Sequence, residues 1–248
     1  SGLSTTAVAL QSALEDIGSS GDFTAFDAII DSYTINYDGT AVSFGAPIDV
    51  RGSAGADTFT LGPGDYYITP GLGTDTINAG TGSLYTQINY SNLSGGGITV
   101  NWAAGTITDP GGSTDTFTGR VDGIRGTNAV DTVTGDNGNN MFRGLGGNDF
   151  FDGSGGTDEI RYDRDANHGG NNGVTVNLAT GTAIDGFGDT DTLVSVERVR
   201  GTNFADVLVG SNSNNRILGL DGNDTLRGAG GNDELDGGGG DDTIYTGS

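Results

Sequence analysis

The sequence predicts an all-β chain: one continuous right-handed parallel solenoid of nonapeptide repeats, with a small helical cap at its N-terminal end. Three observations carry this. Residues 201–245 divide without remainder into five nine-residue rows, GTNFADVLV, GSNSNNRIL, GLDGNDTLR, GAGGNDELD and GGGGDDTIY. Residues 126–161 and 52–87 divide the same way, into four rows each. Across these thirteen rows the eighth position is apolar twelve times, Thr86 being the exception, and the fourth is glycine ten times. A self-similar period of this kind marks a repeat array rather than a globular domain.

One buried residue per nine, with polar neighbours, fits a three-residue strand that turns a single side chain inward. The other six residues must turn the chain, and glycine supplies the dihedrals that other residues avoid. Two rows make one coil, so each row stacks on the next but one. The blocks also superpose on one another. Asp57 and Asp75 of the first fall on Asp131 and Asp149 of the second, and these fall on Asp206 and Asp224 of the third. A strand–turn–strand phrase precedes each block: Thr34-Ile35-Asn36-Tyr37 with Gly39–Val42, Thr99–Trp102 with Gly105–Ile107, and Thr175–Leu178 with Gly181–Ile184. The segments between blocks, 88–125 and 162–200, each fit roughly two more coils with small insertions. At the start, Leu3, Ala7, Leu10, Leu14 and Ile17 share a helical face between Ser4 and Gly18, and Asp22–Asp31 reads as a second short helix. This pair reads as a cap over the open end of the array, since terminal units of repeat proteins differ from the rest. The organisation is therefore a cap over 1–33, a first module over 34–87 with a degenerate block, a second over 88–161 and a third over 162–248.

Composition makes this order conditional. Glycine accounts for 48 of 248 residues, only 33 % are hydrophobic, and the net charge is −23. Ordering glycine is costly in entropy, and like charges repel in a compact state, so a bound cation is needed to tip the balance. The ten basic residues are all arginine and scattered along the sequence, which argues against nucleic acid or an anionic membrane surface as partner. No apolar run approaches the ~20 residues that span a bilayer, so membrane insertion is not expected. Cysteine is absent, which removes disulfides and thiolate metal sites. The chain opens Ser1-Gly2-Leu3, which reads as a processed or excised product.

The sixth position carries the chemistry. It holds Asp57 and Asp75 in the first block, Asp131, Asn140, Asp149 and Asp158 in the second, and Asp206, Asn215, Asp224, Asp233 and Asp242 in the third. One such aspartate alone reads as a solvated turn residue. Nine in thirteen rows, in register with buried aliphatics, read as ligands. The row G-G-x-G-x-D-x-U-x is an established calcium-binding nonapeptide of RTX proteins, and the chain resembles that repeats-in-toxin, hemolysin-type family of calcium-binding β-rolls. Stacking brings together Asp57/Asp75, Asp131/Asp149, Asn140/Asp158, Asp206/Asp224, Asn215/Asp233 and Asp224/Asp242. The resemblance implies one Ca²⁺ in each gap, held by these side chains and by main-chain oxygens at Gly73, Gly147, Gly156, Gly222, Gly231 and Gly240. Calcium takes six to eight oxygens in flexible geometry, whereas magnesium demands a near-ideal octahedron. Asparagine is a neutral donor, so its pairs are expected to bind more weakly. Tyr66 and Leu84 stand where aspartate is expected, with Asp65 one place early. Asp115 and Asp191 end similar runs, GGSTDTF and GFGDTDTL, each one residue too long, and rank below the others as ligands.

No enzyme is expected. His168 lies in a glycine-rich loop, no H-E-x-x-H or G-x-S-x-G occurs, and the repeat accounts for the paired carboxylates. The dispersed arginines offer no cationic substrate groove. Tyr85, Tyr90, Trp102 and Tyr162 read as core filling at module junctions. The outward file of Thr58, Thr76, Thr132, Thr225 and Thr243 is interrupted by Glu159, Val207, Arg216 and Glu234, too broken for an ice-binding ladder. The expectation is a secreted calcium-stabilised structural or adhesive component of a surface layer, matrix or filament. The alternative is a non-catalytic folding segment of a larger secreted enzyme or toxin. The resemblance further implies export from a bacterium by a one-step system as an unfolded chain, which folds outside the cell. An exposed strand edge at an open solenoid end also predicts end-to-end self-association.

Overall fold

The structure is a computed structural model describing residues 36–38, 48–80 and 83–247, with backbone alone for 36–38, 83 and 84. The predicted cap over 1–33 lies outside the described residues. Among these residues there are strands, turns and one short 3₁₀ turn, Asp165–His168. None of the described helices is long and apolar enough to cross a membrane.

Two long sheets face each other, one of fourteen strands and one of nine. Alternate rows enter alternate sheets. In the third block Val207–Val209, Thr225–Arg227 and Thr243–Tyr245 lie in the larger sheet, while Arg216–Asp221 and Glu234–Gly239 lie in the smaller. Parallel partners are two rows apart, as in Leu208↔Leu226 and Ile217↔Leu235. The second block repeats this with Val133↔Phe151 and Phe142↔Ile160. These eighth-position side chains form the core between the sheets, Leu235 at its edge and most of the others at 0–2 % exposure. Each fully buried aliphatic or aromatic contributes about 1.5–3 kcal/mol. Stacking identical short strands therefore builds one continuous β-roll core.

The connectors depart from the expected two coils. Each forms a three-stranded antiparallel meander inserted into the larger sheet: Thr99–Asn101, Thr106–Thr108 and Thr114–Gly119 in the first, Thr175–Asn177, Thr182–Ile184 and Thr190–Val194 in the second. The chain runs ahead, turns back, and then resumes beyond its own first strand. Thr114–Gly119 pairs backward with Thr76–Ala79, and Thr99–Asn101 pairs forward with Thr132–Thr134. The smaller sheet receives one strand per connector, Gly123–Arg125 or Arg198–Arg200. Both sheets thus continue through the connectors, but the larger is not purely parallel.

The last row of the first block is also corrected. Strand Ser83–Asn89 pairs Ile68 with Ile88 and Tyr66 with Thr86, after a register shift at Gly64/Asp65. The row is displaced by two positions, so Ile88 (0 % exposed) fills the inward position assigned to Thr86. Leu84 is therefore not in the sixth position of its coil, and the residue two before Ile88, Thr86, is.

Candidate metal centre

In the aspartate and asparagine rows the residue two before the inward side chain directly precedes a strand, and where a further coil follows its N–H points at that coil. The aspartates of that next coil accept these donors. Oδ1 of Asp75 accepts from the N–H of Asp57 at 2.8 Å, Asp149 from Asp131 at 2.8 Å, Asp158 from Asn140 at 2.7 Å, Asp224 from Asp206 at 2.8 Å, Asp233 from Asn215 at 2.9 Å and Asp242 from Asp224 at 2.9 Å. All six expected pairs are brought together. Asp131 and Asp206 accept in the same way from Ile98 and Val174, which directly precede the first strand of each meander.

The second carboxylate oxygen sorts the rows into two kinds. In one kind it is closed by the row's own turn: the N–H of Ser53 donates to Asp57 Oδ2 at 2.6 Å, Thr127 to Asp131 at 2.8 Å and Thr202 to Asp206 at 2.7 Å. Asn140 and Asn215 receive Asp136 and Ser211 through their single oxygen. In the other kind Oδ2 is buried with no hydrogen-bond partner among the described residues: Asp75, Asp149, Asp158, Asp224 and Asp233. In those five rows the second residue is left-handed, at Gly71 (φ 99°), Leu145 (70°), Ser154 (64°), Leu220 (86°) and Ala229 (72°). Four of these are not glycine, a conformation that costs roughly 1 kcal/mol or more for an L residue. The left-handed turn carries the second residue's N–H away and leaves the oxygen unpaired.

Glycine is needed at two positions in most of the open rows. The six fourth-position glycines expected to present carbonyls, Gly73, Gly147, Gly156, Gly222, Gly231 and Gly240, all have φ between 102° and 136°. At the first position a Cβ on Gly219 would lie 2.1 Å from Asp224 Oδ2 and 2.5 Å from the Gly237 carbonyl oxygen of the next coil. On Gly228 it would lie 2.3 Å from Asp233 Oδ2 and 2.7 Å from Thr246 O. The unpaired carboxylate oxygen thus folds back over its own row towards a carbonyl of the following coil.

Burial raises four of these acids, as it does Asp131 and Asp206 of the closed rows. Desolvation, then the Asp131 charge, pushes Asp149 up to about 10. Desolvation raises Asp75 to about 7 and Asp158 and Asp224 to about 6, with neighbouring carboxylates adding to it. Among the described residues no three His, Cys, Asp or Glu side chains converge on one point, so any ion here draws most of its oxygens from the backbone. Buried carboxylate oxygens without donors, turned towards carbonyls, suit a hard cation with a high coordination number.

A family model of the RTX calcium-binding nonapeptide repeat matches four times, at residues 49–68, 125–160, 200–235 and 218–248. The chain carries RTX calcium-binding repeats. No curated protein matches it. The later three matches cover the open rows of Asp149, Asp158, Asp224 and Asp233, the Asp75 row lies beyond the first, and RTX repeats bind calcium and are typically found in proteins that bacteria secrete.

Other residues fall differently from expectation. Asp115 and Asp191 do join the ladder, accepting from the N–H of Asp75 at 2.8 Å and of Asp149 at 3.0 Å. Each ends its run, because a meander follows, and a buried tyrosine hydroxyl closes its second oxygen: Tyr90 on Asp115 and Tyr162 on Asp191. Asp65 lies at the register shift with a buried oxygen, Oδ1, that has no hydrogen-bond partner, and Tyr66, beside it, is fully buried. Sequence reasoning missed Asp122 and Glu197, which accept from Thr86 and Asp158 on the smaller sheet. It also missed an opposed ladder of fifth-position asparagines. Asn139, Asn214 and Asn223 accept from the N–H groups of Thr157, Asn232 and Asp241 in the following coil at 2.8–2.9 Å.

The arginines are not dispersed in space. Seven of the ten lie in strands of the smaller sheet, and Arg125↔Arg143 and Arg161↔Arg200 are neighbours in register. Arg125, Arg143, Arg164 and His168 line a groove of about 350 Å³ with Tyr67 and Gln87. Arg143 pairs with Asp163 at 2.8 Å, while Arg125 and Arg164 have no acidic partner among the described residues.

Proposed function

We propose that this RTX chain is a secreted, non-catalytic structural or adhesive component, a rod that calcium folds and stiffens outside the cell. One observation carries the reading: five buried aspartate oxygens, on Asp75, Asp149, Asp158, Asp224 and Asp233, have no protein partner in an otherwise hydrogen-bonded ladder. Calcium bound at these rows, with Asp57, Asp131, Asn140, Asp206, Asn215 and Asp242 as the facing residues and fourth-position carbonyls completing the shell, neutralises them. Several ions are then integral to the fold. In low-calcium cytosol the same carboxylates repel, which keeps the chain unfolded for export.

The adhesive part draws support from the cationic groove, whose amide and tyrosine lining suits an anionic, hydroxyl-rich polymer. End-to-end association through exposed strand edges belongs to the same proposal. Sedimentation velocity tests both parts. In millimolar calcium the chain sediments as a compact rod whose size grows with concentration, and in chelator as an expanded monomer. A calcium-independent sedimentation coefficient contradicts the folding role, and a strict monomer at every concentration contradicts assembly.

A further inference from the structure

The second connector holds two buried carboxylates that the nonapeptide pattern does not explain. Asp165 is 0 % exposed and Asp185 is 1 % exposed. Asp165 Oδ2 accepts from the Gly186 N–H at 3.1 Å, which places it against the residue following Asp185, and its Oδ1 has no partner. Asp185 Oδ1 gathers three N–H groups, from Phe187, Gly188 and Asp189 at 2.8–2.9 Å, while its Oδ2 has none. Neither forms an ion pair among the described residues. A Cβ on Gly186 would sit 3.1 Å from Asp165 Oδ2 and 3.3 Å from the Asn172 carbonyl oxygen, so a main-chain oxygen borders the same spot. The Phe187 ring lies over the loop, 2.8 Å from where a Cβ of Gly170 would be.

The first connector is an internal control. Leu93 N donates to the carbonyl of Tyr90, as Asp165 N does to that of Tyr162, so Leu93 is the counterpart of Asp165. It packs against the hydrophobic core. Asp109 follows Thr106–Thr108 as Asp185 follows Thr182–Ile184, and both its oxygens are satisfied, by Ser113 N at 2.8 Å and Gly73 N at 3.1 Å. In the second connector the Gly147 N–H, the counterpart of Gly73, donates to Asp189 Oδ2 at 3.0 Å and leaves Asp185 Oδ2 open, and the aspartate in place of the leucine adds a second oxygen, Asp165 Oδ1, with no partner among the described residues.

We infer that Asp165 and Asp185 form a separate calcium site in the second connector, outside the nonapeptide rows, completed by main-chain oxygens of the surrounding loop and by water. Two neighbouring buried carboxylates that each keep one oxygen without a donor are costly to hold charged, and a hard divalent cation supplies the missing partner to both. The inference rests on the calcium reading above, and the test separates the two. Calcium bound per full-length chain is counted by equilibrium dialysis, for the native protein, Asp165→Leu, Asp165→Asn, Asp185→Asn and Asp224→Asn. The expected result is one ion fewer for each Asp165 and Asp185 variant, with the strand content of the calcium-loaded chain retained. Asp165→Leu copies the first connector; should it fail to fold, the two asparagine variants carry the same readout. An unchanged count in these variants, alongside a reduced count or affinity in Asp224→Asn, overturns the connector site and leaves the repeat sites standing. Native count and native calcium affinity in Asp224→Asn as well overturn the reading of the repeats.

Discussion

Replacing Asp224 by asparagine and by alanine separates the two tasks of a ladder aspartate. Its Oδ1 accepts the Asp206 N–H at 2.8 Å, and its Oδ2 is buried and unpaired. Asparagine keeps the first task and removes the charge, whereas alanine loses both. At saturating calcium, alanine leaves the Asp206 N–H buried without an acceptor, which costs about 1–3 kcal/mol beyond the asparagine variant. Both variants weaken calcium binding, because Asp224 faces a gap on each side, towards Asp206 and towards Asp242. A loss of at least about tenfold in affinity corresponds to ~1.4 kcal/mol. Urea unfolding in saturating calcium reads the first difference, and calcium titration by calorimetry the second. Equal urea midpoints for the two variants refute the role of Oδ1. Native calcium affinity in Asp224→Asn refutes the role of Oδ2.

Gly219→Ala places a Cβ 2.1 Å from Asp224 Oδ2, so the carboxylate must swing away; the calcium midpoint of folding should rise, while Gly95→Ala, outside both kinds of site and with open space around it although φ is 105°, should leave calcium affinity unchanged. Acid should favour the calcium-free fold. The buried aspartates bind protons more tightly folded than unfolded, so their stabilising contribution is complete below the usual carboxylate value of 3.8 and is lost as pH rises through about 6–7, and near 10 for Asp149. Circular dichroism in chelator should therefore show strand content rising as pH falls from neutral, and the calcium midpoint should rise over the same range as protons compete. Arg125→Gln with Arg164→Gln should reduce retention on an immobilised acidic polysaccharide at least about tenfold in millimolar calcium (~1.4 kcal/mol), with Arg120→Gln, which lies outside the groove, as the neutral control.

Much of this was legible in the sequence because a stacked solenoid converts sequence period directly into spatial neighbours. The two-row period located Asp206 beside Asp224 and Leu208 over Leu226 without further information. The meanders were not legible. A three-residue strand such as Thr106–Thr108 has the same β-branched pattern whether it runs parallel or antiparallel, and only the pairing of its neighbours decides. The slip at Thr86 escaped for a similar reason, since a displacement by two positions preserves the inward–outward alternation and leaves Thr86 and Ile88 equally plausible by pattern. Asp115 and Asp191 were underrated because they were counted from the preceding glycines; counted back from Phe117 and Leu193, they are in register. The basic face was in fact written in the same period, Arg125, Arg143 and Arg161 recurring at every second row, but it disappears when charge is judged along the chain alone. The distinction between closed and open rows depends on second-position φ, and Ser154 shows why composition does not reveal it. Its N–H turns to Asp152 Oδ1 at 2.8 Å, away from Asp158.

Whether calcium completes the fold is decided by far-UV circular dichroism of the chain at neutral pH, in chelator and then across a calcium titration. The expected result is little strand signal in chelator and a cooperative gain by millimolar calcium, the range typical of extracellular calcium modules (about 10⁻⁴–10⁻³ M). Identical spectra in chelator and in calcium would contradict it.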